Sequence, residues 1–158
     1  MFKAYRLEVI RTRIAQPRHS FNSSVEVAKR YCHLDGRDRE HLIRLDLDSR
    51  NRLIGEETVS IGTADSSLVS PREVFKGAIL NGAIHIIVLH NHPSGGIEPS
   101  DEDRRVLDCL QDAGKLLGIP LLDFLIIGED GRYWSNTQGE GQLPIDDEET
   151  KGTVEVPL

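Results

Sequence analysis

The sequence Leu89-His90-Asn91-His92-Pro93-Ser94-Gly95 ends a nearly continuous apolar run that begins at Ile84. A run of this kind predicts a central strand that is buried on both faces of a sheet. Because successive side chains of a strand point to opposite faces, His90 and His92 share one face and His85 points to the other. The Pro-Ser-Gly sequence that follows predicts a turn. The strand therefore places two imidazoles at its carboxyl end, where α/β sheets commonly place their functional sites.

A helix is predicted shortly after this turn, and it supplies a third candidate ligand. Ser100 is a suitable N-cap, and Asp103 and Leu110 share one face of the helix that follows. Asp103 then lies on the inward face of the first turn, directed at the strand ends. Two imidazoles and one carboxylate are a normal ligand set for catalytic zinc, in which the fourth position is left for water. We therefore expect His90, His92 and Asp103 to bind Zn²⁺.

The two histidines, the serine and the aspartate fill the spacing H-x-H-x7-S-x2-D without a gap. This spacing resembles the signature of the JAMM metalloproteases, also called the MPN+ or JAB family. Further sequence blocks resemble the bacterial RadC branch of that family, and the resemblance covers roughly residues 24–135. The blocks, which occur in the order typical of that branch, are Glu56–Thr63, Ser70–Lys76, His90–Gly95 and Leu122–Gly128.

The resemblance implies both a fold and an activity. The expected fold class is α/β (α+β), with a curved, mainly antiparallel mixed sheet packed between helices and an architecture like that of cytidine deaminases. The expected activity is that of a zinc-dependent metallopeptidase or isopeptidase-like hydrolase, whose substrate is a peptide or an isopeptide-linked protein. A true deaminase would need an H-x-E and a P-C-x-x-C ligand set, and the sequence contains neither.

The resemblance also assigns catalytic roles. In RadC-like sequences the acid lies five residues before the glycine of a Gly-Thr pair, and Gly62 then selects Glu57 as the general base. Glu56, its neighbour on the same strand, would face away from the metal. Glu57 would accept a proton from the zinc-bound water and return it to the leaving amine. Ser100 matches the serine whose hydroxyl steadies the oxyanion of the tetrahedral intermediate.

Each of these residues also has a purely structural interpretation. His90 and His92 could be strand-end residues that are hydrogen-bonded to loop carbonyls, which is the better explanation of an arbitrary H-x-H pair. Asp103 could simply favour the positive end of its helix dipole, and Ser100 could act only as an N-cap. An exposed carboxylate on the sheet surface is the structural alternative for Glu57. The complete spacing with the Pro-Ser-Gly turn favours the metal site.

Two other functions are compatible with the resemblance. Non-catalytic MPN domains act as binding or scaffold modules, but they typically lack the metal ligands, all three of which are present here. The RadC name suggests a DNA-repair-associated factor. The formal net charge of −7 does not favour nucleic acid as a partner, because Lys and Arg side chains drive nucleic-acid binding by neutralising phosphates.

The length of 158 residues suits one domain that buries its core without disulfides. We expect an N-terminal extension with a strand in residues 1–23, the JAB-like domain in residues 24–135, and an acidic, flexible tail in residues 136–158. The sequence has no apolar run of about 18 residues and no apolar signal-peptide core, so we expect no membrane partner and a cytoplasmic location. Cys32 and Cys109 are expected to be buried free thiols.

Local patterns predict the remaining elements. Ile43, Leu45 and Leu47 alternate with polar residues, which predicts a half-buried strand. Helices are predicted to begin immediately after Ser23 and after Ser70. Each serine is followed three residues later by a glutamate, which is the pattern of a capping box. Further strands are predicted at Tyr5–Ile10, Leu53–Ile61 and Leu121–Ile127, and Asp130-Gly131 is predicted to be a turn that leads into Arg132–Ser135.

Overall fold

The computed structural model describes residues 19–62 and 69–144, together with residues 4, 6 and 8 taken singly. In this part of the chain no helix is long and apolar enough to cross a membrane. The strand predicted over Tyr5–Ile10 lies outside the two described ranges. The elements, in chain order, are α1 (Ser24–Tyr31), a 3₁₀ turn (Cys32–Leu34), β1 (Glu40–Leu47), β2 (Leu53–Gly62), α2 (Pro71–Asn81), β3 (His85–Asn91), α3 (Asp101–Leu117), β4 (Leu121–Ile127), β5 (Arg132–Ser135) and β6 (Gly139–Gln142).

The six strands form one open, mixed sheet in the order β2-β1-β3-β4-β5-β6. β3 and β4 are parallel, and the other neighbouring pairs are antiparallel. A parallel pair needs a crossover connection, which α3 supplies between the end of β3 and the start of β4. The expected mixed, mainly antiparallel sheet is therefore confirmed, and the fold is α+β.

Helices cover both faces of the sheet. On the face that we call the α1 face, α1 packs over a core that includes Leu89 and Leu125. On the opposite face, the α2–α3 face, the core includes Phe75, Val88 and Phe124. Neighbouring residues of β3 and β4 thus enter different cores, which confirms that both strands are buried on two faces.

Two local signals place α2 as the sequence predicts. The side chain of Ser70 accepts a hydrogen bond from the N–H of Glu73 at 3.4 Å, so it caps the helix start. Gly82 ends the helix with φ of 69°, a left-handed conformation that glycine adopts without a steric penalty. The chain therefore leaves α2 at Gly82 and enters β3 at His85.

β1 is not half-buried, which corrects the expectation from its alternating pattern. Arg44 and Asp46 are both 0% exposed, and Nε of Arg44 donates to Oδ1 of Asp46 at 2.7 Å. Arg44 also donates to the carbonyl of Val74 in α2, and Asn81 donates to Asp46 at 2.6 Å. Burial disfavours the charged guanidinium, but the hydrogen bonds and charges of Asp46 and Glu57 outweigh this effect and raise the pKa of Arg44. The charged positions of β1 therefore form a buried ion pair.

The two cysteines are free thiols, but both are exposed, which corrects the expectation that they are buried. Cys109 lies on α3 beside Leu110, which is buried. The thiol is exposed because the amphipathic helix turns a different side toward the sheet, and this placement outweighs the general preference of cysteine for protein interiors.

The domain extends beyond both boundaries expected from the sequence. Gly139–Gln142 pairs with β5 as the edge strand β6, although the flexible tail was expected from residue 136. The N–H of Leu143 donates to the carbonyl of Gly131 at 2.9 Å. At the other end, Phe21 is buried in the α1-face core, before the expected start at residue 24. The glycine-rich composition of β6 has low strand propensity, and pairing with β5 overrides that propensity.

Candidate metal centre

His90, His92 and Asp103 lie together, as the sequence predicts. One nitrogen of each histidine and one carboxylate oxygen of Asp103 all lie within 4.8 Å of one another. His90 is the penultimate residue of β3 and His92 follows the strand, whereas Asp103 lies in the first turn of α3. A strand end and a helix start, both held by core packing, therefore converge on one point.

Both ring nitrogens of His92 have a defined neighbour. Nδ1 lies 3.2 Å from the carbonyl oxygen of Gly96, which can only accept a hydrogen bond, and Nε2 lies 3.0 Å from Oδ2 of Asp103. The hydrogen bond with Asp103 outweighs burial and raises the pKa of His92. In a neutral ring whose proton is on Nδ1, the Nε2 lone pair faces a carboxylate oxygen. A proton or a metal cation between these two acceptors removes the conflict.

His90 is buried, and its ring lies between two carboxylates. Nδ1 lies 2.9 Å from Oε1 of Glu40, and Nε2 lies 3.4 Å from Oδ1 of Asp103. Neither approach has hydrogen-bond geometry, so both nitrogens lack a hydrogen-bond partner among the described residues. Because buried polar atoms are normally hydrogen-bonded, these two nitrogens indicate that the site is completed by another group.

The carboxylate of Asp103 is oriented by the cap of α3. The N–H of Ser100 donates to Oδ2 of Asp103 at 2.8 Å, and the N–H of Asp103 donates to Oγ of Ser100 at 3.0 Å. Burial acts to raise the pKa of Asp103, but the hydrogen bond from His92, the charge of His90 and the hydrogen bonds from Ser100 lower it to about 2. Asp103 is therefore ionised at neutral pH and can act as an anionic ligand.

These observations fit one divalent metal ion with two nitrogen ligands and one oxygen ligand. Zinc accepts this donor set, with the fourth position of a tetrahedral site left open. Groups around the ligands also match the usual outer contacts of a metal site, since Gly96 contacts the second nitrogen of His92 and Ser100 holds Asp103. His90, His92 and Asp103 are therefore the residues that could hold the ion.

Glu57 is not brought to the three ligands. It lies on the sheet face of His90, as predicted, since it pairs with Arg44 in the β2–β1 register. However, its Oε2 atom lies 2.7 Å from Nη1 of Arg44. Glu56 lies on the α1 face, where it accepts a hydrogen bond from the hydroxyl of Tyr31. Glu57, and not Glu56, therefore lies on the same sheet face as His90, as the sequence analysis expects. However, the Glu57 carboxylate contacts Arg44 and none of the three candidate ligands.

Glu40 is the acidic side chain at the site that the sequence analysis did not identify. It is the first residue of β1, and the β1–β3 register pairs Leu42 with His90. Glu40, two residues before Leu42, lies on the same face, with its Oε1 atom 2.9 Å from His90. The available sequence signal was an acid that precedes an alternating apolar run. That signal does not reveal that β1 lies beside β3.

His85 lies apart from the ligands, as expected. It pairs with Leu47, which belongs to the core on the α1 face, whereas His90 lies on the α2–α3 face. This arrangement confirms that the two histidines of β3 point in opposite directions, and it makes His85 a suitable control for His90.

A family model described as "RadC-like JAB domain" matches residues 21–141. A "UPF0758 protein" of Methanosarcina acetivorans is 46% identical over 133 residues, which make up 84% of this chain and 56% of that protein. A second, from Methanosarcina mazei, is 44% identical over the same shares of the two chains. A third, from Rubrobacter xylanophilus, is 50% identical over 92 residues, or 58% of this chain and 40% of that protein.

This chain thus spans about half the length of these relatives. The matched region contains His90, His92, the start of α3 and the first strand of the sheet. It coincides with the part of the structure that builds the candidate metal centre. The chain belongs to the RadC-like JAB domain family.

Proposed function

We propose that this chain is a zinc-dependent hydrolase that cleaves an amide bond in a peptide or in an isopeptide-linked protein. The observation that carries the proposal is the convergence of His90, His92 and Asp103, in which the buried Nε2 atom of His90 faces Asp103 without a hydrogen-bond partner among the described residues. Membership of the JAB family supports hydrolysis as the class of reaction. The proposal concerns the JAB-like domain itself. That a longer protein containing this domain would act on the same class of substrate is also part of the proposal.

When bound, zinc would polarise the scissile carbonyl and lower the pKa of a water molecule to about 7. The residues of the chain have two further tasks. One is to accept a proton from the attacking water and deliver it to the leaving amine. The other is to stabilise the negative charge that develops on the carbonyl oxygen, which usually makes the largest single contribution to catalysis.

Glu40 is the side chain best placed to transfer the proton. Its carboxylate lies 2.9 Å from the ring of His90 and is 19% exposed, so it borders the ligand set and is within reach of water. Glu57, to which the sequence resemblance assigns this role, is instead directed at Arg44. We therefore assign general acid–base catalysis to Oε2 of Glu40, because Oε1 faces Nδ1 of His90, the ring nitrogen that does not face Asp103.

Ser100 retains a proton for the second task. Its Oγ atom accepts a hydrogen bond from the N–H of Asp103, and this bond does not use the hydroxyl hydrogen. That hydrogen is free to donate to an oxyanion formed next to the metal ligands. The helix cap and oxyanion stabilisation are therefore compatible roles of one side chain.

Metal analysis and substrate screening test the proposal together. Purified protein that has been supplied with zinc should contain about one ion per chain, because the three-ligand set is complete. The zinc-loaded protein should then cleave a member of a peptide or isopeptide library, and a His90→Ala variant should not. Protein that takes up no zinc would overturn the proposal.

A pair of variants separates the two candidate general bases. Glu40→Gln keeps the size of the side chain but removes its basicity, so turnover should fall by about 10²–10⁴ at saturating zinc. Glu57→Gln is the matched control and should retain turnover, because Glu57 has no contact with the ligand set. The reverse result would restore Glu57 as the base and refute the assignment to Glu40.

A further inference from the structure

The residue between the two histidine ligands contacts the backbone on both sides of Glu40. Asn91 is 1% exposed. Its Oδ1 atom accepts a hydrogen bond from the N–H of His41 at 2.9 Å. Its Nδ2 atom donates to the carbonyl of Arg39 at 3.0 Å. One side-chain amide thus binds the residue before Glu40 and the residue after it.

These hydrogen bonds lie where the backbone pairing of β1 with β3 ends. The register of the two strands runs from Leu47 and His85 to Leu42 and His90, and Leu42 with His90 is its final pair. Glu40 precedes that pair, so the β1–β3 register does not fix its position relative to β3. The Asn91 side chain continues the link between the two strands, because it hydrogen-bonds the backbone of β1 on both sides of Glu40.

The position of Glu40 relative to β3 matters because its carboxylate lies 2.9 Å from Nδ1 of His90. A carboxylate that accepts a hydrogen bond from the second nitrogen of a metal-binding imidazole orients the ring and increases its basicity. The 2.9 Å separation allows this bond once the ring turns, although the bond is not formed in the present geometry. A shift of the β1 start by about one ångström would disturb this contact. Since Asn91 and His90 are consecutive in β3, the strand that carries the ligand also holds the acid.

We propose that Asn91 is a positioning residue that holds Glu40 against His90 by hydrogen-bonding the backbone at Arg39 and His41. This inference rests on the proposed function in one respect, namely that the His90 site binds zinc. It does not depend on the identity of a substrate or on turnover. It assigns to the central residue of the His-Asn-His sequence a role that the two flanking histidines cannot perform.

A double-mutant cycle on zinc affinity tests this role in the full chain. Chelator competition would measure the zinc dissociation constant of the wild type, Glu40→Gln, Asn91→Ala and the double variant. Loss of an outer contact of a metal ligand typically costs about 10–100-fold in affinity, so each single variant should lose about tenfold or more. If Asn91 acts through Glu40, the double variant should bind zinc no more weakly than the weaker single variant. Multiplied losses, or unchanged affinity in Asn91→Ala, would overturn the inference.

Asn81→Ala is the matched control. Asn81 also donates its side-chain amide to a buried group, Oδ2 of Asp46, but it lies at the end of α2, on neither β1 nor β3. This variant should lose stability and keep the zinc affinity of the wild type. A loss of zinc affinity in Asn81→Ala equal to that in Asn91→Ala would show a general structural effect and refute positioning.

Hydrogen exchange of the unmodified protein tests the contact without any variant. The N–H of His41 has the Asn91 side chain as its acceptor, so its exchange should be at least about tenfold slower than that of an unprotected amide. Unprotected exchange at His41 would overturn the inference even if Asn91→Ala failed to fold. If wild-type protein bound no zinc but His41 were protected, the proposed function would fail while the contact stood.

Discussion

Ser100 and Asp103 exchange two hydrogen bonds across the first turn of α3, and the oxygen of Asp103 that accepts from Ser100 also lies 3.0 Å from Nε2 of His92. The same pair therefore forms the capping box of the helix and orients the anionic candidate ligand of the proposed metal centre. The two interpretations of Asp103, as a residue that stabilises the helix start and as a metal ligand, are compatible, because one geometry satisfies both.

This dual role predicts that Ser100→Ala weakens zinc binding as well as the helix. Loss of an N-cap side chain should lower the free energy of unfolding by about 0.5–2 kcal/mol. Zinc affinity should fall by about tenfold, since the backbone N–H of Asp103 loses its acceptor and the turn that carries the ligand loosens, although the bond from the N–H of Ser100 to the carboxylate remains. Chemical denaturation of the metal-free protein and chelator competition measure the two effects.

Ser70→Ala is the control for that prediction. Ser70 caps α2 by the same type of hydrogen bond, to the N–H of Glu73, and α2 contributes no metal ligand. This variant should lose a similar amount of stability without a change in zinc affinity. Equal zinc affinity in the wild type and Ser100→Ala would contradict the link between the cap and the ligand.

The ligand assignment predicts different effects for the two candidate ligand histidines and for His85. His90→Ala, His92→Ala and Asp103→Ala should each abolish stoichiometric zinc uptake, because two remaining ligands do not complete a catalytic zinc site. His85→Ala should keep about one zinc per chain, since His85 lies on the opposite face of the sheet. Metal analysis after gel filtration distinguishes these results, and loss of zinc in His85→Ala would disprove the face assignment.

The ligands could be predicted from sequence because their positions follow from local rules. Alternation along a strand puts His90 and His92 on one side, and a helix cap at Ser100 fixes Asp103. Glu40 could not be predicted in this way, because its place beside His90 depends on β1 being the neighbour of β3. That neighbour relationship joins segments about 50 residues apart, and no local pattern specifies it.

The same limitation explains the misinterpretation of β1. Its alternation of apolar and charged residues is typical of a strand with one face in water. Arg44 and Asp46 are buried instead, because α2 covers their face of the sheet. Whether a polar face is covered depends on helix packing, and the composition of the strand itself contains no information about it.

The position of β6 predicts where the C-terminus can be shortened. Removal of residues 145–158 retains the pairing of β5 with β6, so this truncated protein is the reference for the next one. Removal of residues 139–158 deletes β6 and uncovers Tyr133, which is 6% exposed in the intact domain. This deletion should cost about 1.5–3 kcal/mol, the typical contribution of burying one large apolar side chain. Urea denaturation of the two truncated proteins measures the difference, and equal stabilities would contradict a structural role of β6.

The buried ion pair predicts the largest loss of stability away from the metal centre. Arg44→Met leaves the carboxylate of Asp46 in the interior with only the amide of Asn81 as a donor, so unfolding free energy should fall by about 3–5 kcal/mol. Glu57→Gln removes the other anionic partner of Arg44. The side chain of Glu57 is 49% exposed, whereas that of Arg44 is buried. Exposed ion pairs contribute about 0–1 kcal/mol, so this variant should be close to wild type.

Replacing both members of the pair separates burial of an unpaired charge from loss of an attraction. In Arg44→Met with Asp46→Leu, Glu57 also loses its partner but is half exposed, and no fully buried unpaired charge remains, so the double variant should be more stable than Arg44→Met alone. Urea denaturation of the metal-free proteins gives the comparison, and the zinc stoichiometry should stay at about one per chain throughout because neither residue contacts a ligand. A loss below about 1 kcal/mol in Arg44→Met would contradict the expected cost of leaving the Asp46 charge buried without its partner.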